Sequence, residues 1–227
     1  MKYRHELKFV VSDLLLQQLK SRLLPIMSPD VHQAGGRYTI TSLYYDDIYD
    51  TCMGENINGT DRRYKYRVRI YNHSNETIKL EKKIKYRGMT RKESVSLTSE
   101  ECSLFMQGSI PFPNGDMEEL RQKLYSEMLI SGMSPKVIVE YDRTALTYPV
   151  GNVRITFDEN IRSSRDAGSL FDKNAFRNSA IMPAGYHIFE VKYDELLPEY
   201  ISDVISIGML KKTTNSKYYL ARKGEII

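Results

Sequence analysis

The chain has 227 residues, 41% of them hydrophobic, and 33 Lys or Arg against 29 Asp or Glu give a net charge of +4. That suffices for one large core, and no Gly-, Ser- or Pro-rich linker divides it, so a single domain over residues 1–227 is expected. No run approaches a membrane span, and the start Met1-Lys2-Tyr3-Arg4-His5-Glu6 lacks a signal-peptide core, which points to a soluble, cytoplasmic protein.

Cys52 and Cys102 have no partner spacing and read as buried apolar residues. The zinc-protease, nucleophile-elbow and P-loop motifs are absent.

Arg4 to Val11 alternates as a strand, with Arg4, Glu6 and Lys8 on one face and Leu7 and Phe9 on the other. Ser12 caps a helix to about Leu24, where Leu15, Leu16, Leu19 and Leu23 make an apolar stripe and Pro25 stops it. A loop around Gly35-Gly36 precedes a strand over Tyr38–Asp46. Then comes Arg63-Tyr64-Lys65-Tyr66-Arg67-Val68-Arg69-Ile70-Tyr71, a polar turn at 72–75, and the alternating Thr77–Lys83 segment. These two read as a hairpin with Arg63, Lys65, Arg67, Arg69, Lys79, Glu81 and Lys83 on one face and Tyr64 and Tyr66 on the other.

A third strand, Thr90–Leu97, leads to a Thr98/Glu101 capping box. A second box at Asp116/Glu119 is expected to open a helix that ends near Gly132. Strands resume over 137–146 and 153–158, the latter with Arg154, Thr156 and Asp158 on one face. Residues 162–180 read as a mobile loop. Tyr186–Tyr193 sets Glu190 beside Lys192, a helix follows Pro198, and a basic tail spans 211–218.

Charge is concentrated in this pattern. Residues 62–92 hold twelve Lys or Arg and two acids, a net of +10 in a chain of +4. Like charges facing each other across strands about 6 Å apart cost on the order of 3 kcal/mol per pair at an effective dielectric of about 20. Such a face either guards a sheet edge or binds an anion. A flat sheet would leave it open to water, whereas a closed antiparallel barrel with helices outside would turn it into a polar tunnel. The interspersed carboxylates favour the tunnel.

Five segments, Glu6-Leu7-Lys8, Ser42–Asp46, Arg67–Tyr71 with Leu80–Lys83, Glu140–Arg143, and Phe189–Lys192 with Ser216-Lys217-Tyr218, resemble in order the polyphosphate polymerase (vacuolar transporter chaperone, VTC) domain of the triphosphate tunnel metalloenzymes, or CYTH-like superfamily. The resemblance implies an α+β fold built on an eight-stranded antiparallel barrel. It also implies transfer of the ATP γ-phosphate onto inorganic polyphosphate with Mn²⁺ or Mg²⁺. By position Lys8, Arg67, Arg69, Lys83, Arg143 and Lys217 are the phosphate clamps. Tyr141, Ser216, Arg63, Lys65 and Lys192 are substrate contacts, and Glu190, Glu81 and Glu6 are metal-ligand candidates.

Two positions depart from the pattern: Arg4 stands where the superfamily has the first Glu of Glu-x-Glu-x-Lys, and Thr214 where a basic residue is expected.

On residue chemistry alone Glu190 could pair with Lys192, Glu81 could be a counterion for Lys79 and Lys83, and His187 reads as structural. The function classes are a polyphosphate synthase, a tripolyphosphate or nucleoside triphosphate hydrolase of the same fold, and a non-catalytic polyanion binder. Nucleic acid is disfavoured, because stacking needs aromatics on the basic face and Tyr64 and Tyr66 alternate away from it. ATP and condensed phosphate are the expected partners, with any membrane partner a separate chain.

Overall fold

In the computed structural model, residues 3–31, 33, 36–176, 179–207, 210–214 and 216–223 are described. Met1, Lys2, Gly35 of the expected loop and Asn215 of the basic tail lie outside them. Eight long strands carry the fold: β1 (His5–Ser12), β3 (Tyr38–Asp46), β4 (Arg63–Tyr71), β5 (Ser74–Tyr86), β6 (Met89–Ser96), β7 (Ser134–Tyr148), β8 (Val153–Ser164) and β9 (Tyr186–Tyr193). Two short strands, β2 (Ser28–Pro29) and β10 (Lys211–Lys212), pair with β7 and β1.

All pairings are antiparallel, in the order β10-β1-β9-β8-β7-β3-β4-β5-β6. The sheet curls until backbone hydrogen bonds between Arg4 and Thr90, 2.9 and 2.8 Å, join its two sides. The architecture is the α+β barrel expected from the alternation. At the β4–β5 turn Asn72 and His73 take φ of 51° and 57°, and Arg87-Gly88 repeats this at the β5–β6 turn, so both hairpins close through two left-handed residues that match strand twist.

Helices α1 (Asp13–Leu23), α3 (Ser99–Met106), α4 (Glu119–Ile130) and α5 (Glu199–Ile205) cover the outside. Ser12 caps α1, whose Leu16, Leu19 and Leu23 are buried with Phe157, Phe189 and Ile201. Thr98 and Glu101 form the expected capping box of α3, and Phe105 stacks edge-on against Tyr45 and Tyr125 over the opposite side. Both cysteines are buried. His187 on β9 meets Asp13 Oδ1 through Nε2 at 2.7 Å, which ties α1 to the sheet.

The structure corrects three expectations. No Asp116/Glu119 box forms: the Asn114 side chain accepts the Asp116 amide, so the chain turns there and α4 starts at Glu119 behind an uncapped Glu118. Residues 162–180 are not loop throughout: β8 runs on to Ser164, and a 3-10 turn at Ala167–Phe171 buries Leu170, with Phe176 buried after it. The basic tail is a strand followed by α6 (Lys217–Lys223).

Helix α2 (Thr51–Ile57) had no sequence signal, because its first amides are satisfied by carboxylates that precede it. Asp46 accepts Cys52 and Met53 N–H at 2.9 and 3.0 Å, and Asp47 accepts Thr51 N–H at 2.9 Å. Helices α2 and α6 reach the lumen, α2 through Asn56 on Lys65 and α6 through Lys217 on Asp158.

Asp46 is fully buried and also accepts the Tyr218 hydroxyl at 2.6 Å, so one carboxylate holds α2 and α6 on the end of β3. Asp46→Ala removes the acceptor of the Asp47, Cys52 and Met53 amides and of the Tyr218 hydroxyl. It is expected to lower stability by about 3 kcal/mol in urea denaturation and to speed amide exchange across Lys217–Lys223.

Candidate functional site

Strand alternation sends Arg63, Lys65, Arg67 and Arg69 of β4 inward, while Tyr64 and Tyr66 share the opposite face, packed ring to ring 5.6 Å apart under Lys82, with Tyr64 also contributing to the edge of the cavity. The lumen is a cavity of about 370 Å³ whose described lining includes fifteen Lys or Arg and the carboxylates Glu6 and Glu190. Every candidate site residue from the sequence lines it except Glu81, which is fully buried in the wall behind it.

Three clusters organise the charge. In the first, Glu81 stands opposite Arg67 in register; it accepts Arg67 Nε at 2.8 Å and Lys92 Nζ at 2.6 Å, and lies 3.7 Å from Arg69. Burial pushes the Glu81 carboxyl up, but Arg67, Arg69 and Lys92 outweigh it and hold the group far below the usual carboxylate range. Glu81 does not pair with Lys79, which donates to Ser96, or with Lys83, which donates to Glu6. Cross-strand neighbours stand closer than residues two apart on one strand, and the sequence carries no register.

Arg69 is oriented by Ser42 Oγ at 3.0 Å and the Tyr141 hydroxyl at 3.1 Å, and Arg67 donates to the Tyr44 hydroxyl at 3.1 Å. Burial raises the Tyr44 phenol, yet Arg67 and Arg69 bring it below the usual tyrosine value.

In the second cluster, Glu6 accepts Lys83 Nζ at 2.7 and 2.8 Å, and Lys192 lies 2.5 Å from Glu190. Lys8 stands 3.7 Å from both carboxylates. Burial and Glu190 push Glu6 up; Lys83, Lys8 and Lys192 reverse this and bring it down to about 2. Glu190 is likewise held well below its ordinary value, with burial opposed by Lys192, Lys8 and Lys83.

In the third, Arg143 makes a two-pronged contact with Asp158 at 2.6 and 2.8 Å, and Lys217 of α6 reaches the same carboxylate at 2.5 Å. Tyr141 lies beneath both cations, its ring centre 5.1 Å from Arg143 and 4.5 Å from Lys217. Asp158 is lowered to about 2, as Arg143 and Lys217 overcome burial.

Lys65 donates to Asn56 Oδ1 and Ser216 Oγ, each at 2.6 Å, and Lys212, Thr213 and Thr214 also line the cavity. Lys212 thus puts a cation near Thr214, where the expected basic residue is missing. Arg4 meets Asp194 at 2.8 Å and closes the barrel wall. Asp158, Tyr44 and Ser42 were missed as site residues although their strands and parity were legible; Asn56 had no signal, because α2 had none.

The VTC domain sequence profile matches residues 3–224. The chain belongs to the VTC domain family. This VTC domain is similar in fold to the PH1819 protein of Pyrococcus horikoshii OT3, with a TM-score of 0.50 and 13% identity over 98% of this chain and 99% of that one. A candidate adenylate cyclase of Bacillus halodurans aligns with a TM-score of 0.55 and 14% identity over 92% and 93% of the two chains. At such identities the likeness concerns the fold alone. No curated protein matches the sequence. No described helix is long and apolar enough to cross a membrane.

The depressed carboxyls fix an acid limit. Glu6 titrates near 4.5 when unfolded and near 2 when folded, and Asp158 near 3.8 and near 2. Their stabilisation is present above the unfolded values and is lost as pH falls through the folded ones, so acid unfolding is expected to set in between about pH 4.5 and 2. Asp158→Asn leaves Arg143 and Lys217 buried without a counter-charge and should cost about 3–5 kcal/mol at neutral pH by denaturant titration.

Proposed function

We propose that this domain transfers the γ-phosphoryl group of ATP onto inorganic polyphosphate inside the cationic tunnel. The observation that carries the reading is the convergence of Lys8, Arg67, Arg69, Lys83, Arg143 and Lys217 on one cavity that also holds Glu6 and Glu190. Phosphoryl transfer depends on positioning and on neutralising charge over the equatorial oxygens, and it needs no protein nucleophile. Arginines fixed at Nε, as Arg67 is by Glu81 and Arg143 by Asp158, suit the planar recognition of phosphate oxygens. VTC membership favours a phosphate acceptor over water.

Glu190 and Glu6 offer hard oxygen donors within reach of one lysine, a donor set that fits Mn²⁺ or Mg²⁺. Among the described residues no three acidic, His or Cys side chains gather around one point, so the remaining ligands would be phosphate oxygens. The bound metal would supply charge neutralisation on the transferring group. Glu81, with both oxygens engaged by three cations, serves in this reading as a counter-ion that aims Arg67, not as a metal ligand.

Around that centre Tyr141 holds Arg69 in place, and Arg63, Lys65, Lys192 and Ser216 line the path of the chain of phosphates. Tyr64 and Tyr66 pack against each other on the face of β4 opposite its cations, and the aromatics deepest in the cavity, Tyr44 and Tyr141, already lie against Arg67, Arg143 and Lys217, which speaks against base stacking as the mode of binding. The domain would act in the cytoplasm on ATP and condensed phosphate, and any coupling to translocation would come from a separate membrane partner.

Pure protein incubated with ATP and Mn²⁺ is expected to accumulate long-chain polyphosphate; free phosphate alone would instead mark a hydrolase of the same fold. Glu190→Gln should cut metal-dependent turnover by about 100-fold or more while metal-free affinity for tripolyphosphate holds or rises, since removing an acid cannot repel an anion. Retained turnover in a stably folded Glu190→Gln protein removes Glu190 from the site.

A further inference from the structure

Lys8, Lys83, Lys92, Lys192 and Lys217 each stand within 3.7 Å of a carboxylate oxygen. Lys65 is different. Its Nζ meets the neutral acceptors Asn56 Oδ1 and Ser216 Oγ at 2.6 Å and lies 5.4 Å from the centre of the Tyr218 ring. It forms no ion pair with a carboxylate among the described residues.

The titratable groups around it come from several elements. Arg63 is two residues along β4, Lys83 is its register partner on β5, and Lys8 faces it from β1, while α2 contributes the thiol of Cys52. A neutral amine has two N–H groups, which Asn56 and Ser216 exhaust, whereas an ammonium has a third donor and a charge for which no carboxylate among the described residues stands within ion-pair distance.

We propose that the tunnel takes up a proton together with its polyanion, and that Lys65 is the residue that receives it. The inference rests on the condensed-phosphate reading of the cavity and adds to it how binding responds to pH. In the empty lumen burial, followed by Lys8 and Lys83, pushes the Lys65 ammonium well below the usual lysine range. A polyphosphate threading past Asn56 and Ser216 reverses the local potential and supplies an oxygen for the third N–H. The amine then becomes an ammonium, with the proton drawn from solvent and no other bond made or broken.

The sign follows: the protonated form binds the anion better. Affinity therefore falls as pH rises above the empty-state value, by up to about tenfold per pH unit for one proton. Below that value Lys65 is already charged and the uptake vanishes.

The test is calorimetric titration of tripolyphosphate into the protein, without metal, in pairs of buffers that differ in ionisation enthalpy. It is repeated from about pH 6 to about 9, with Lys65→Arg measured in parallel as the control for protons that the ligand itself exchanges. Net uptake that rises with pH towards one proton supports the proposal. Lys65→Arg, charged throughout this range, is expected to keep the affinity and to lose the uptake. Lys65→Met should lose both the uptake and part of the affinity. Binding without proton uptake at any pH, or uptake unchanged in Lys65→Arg, overturns the role of Lys65 and leaves the function reading intact. Absence of tripolyphosphate binding at every pH overturns both.

Discussion

Arginines and lysines on neighbouring strands face one another across a narrow lumen, and their mutual repulsion is the constraint the structure answers. It does so with a carboxylate at each point of greatest crowding: Glu81 among Arg67, Arg69 and Lys92, Glu6 and Glu190 among Lys8, Lys83 and Lys192, and Asp158 between Arg143 and Lys217. These acids come from β5, β1, β9 and β8, so neutralisation requires the sheet to curl. Barrel closure and charge balance are therefore one problem. The balance is incomplete, since fifteen lysines and arginines line the cavity against the few carboxylates around them, and the excess is what a polyanion would complete.

The outer face solves the ordinary half of the folding problem. Leu16, Leu19 and Leu23 seal one side of the sheet, and Phe105, Leu124, Tyr125 and Met128 seal the other. One glycine is demanded by close approach: Gly151 has φ of 71°, and a Cβ there would sit 2.3 Å from the Leu196 carbonyl oxygen. The C-terminal segment bridges the two halves of the problem. It pairs with β1 as β10, sets Ser216 beside Lys65 and Lys217 beside Asp158, and then anchors its helix through Tyr218 on Asp46 and Arg222 on Asp50.

Local chemistry was legible in the sequence. Period-two alternation put Arg67 and Arg69 inside and Tyr64 and Tyr66 outside, and Ser12 and Thr98 announced their helices. What could not be read was whatever depends on distant segments meeting. Helix α2 is capped by Asp46 and Asp47 from the preceding strand end, and Glu81 pairs across strands and not along its own. Lys217 sits on a helix whose burial comes from Tyr44 and Tyr141, more than 70 positions earlier in the chain. Residues 162–180 looked polar in composition, yet Leu170 and Phe176 are buried in the core and anchor the segment there.

That the lumen is an anion site left short of negative charge is tested most directly by thermal unfolding with and without tripolyphosphate at low salt. An anion that binds only the folded protein at about 100 times its dissociation constant adds about 2.7 kcal/mol. The melting temperature should rise accordingly, and the rise should shrink as added salt screens the lumen. A melting temperature that tripolyphosphate leaves unmoved at low salt contradicts the cationic tunnel as a condensed-phosphate site.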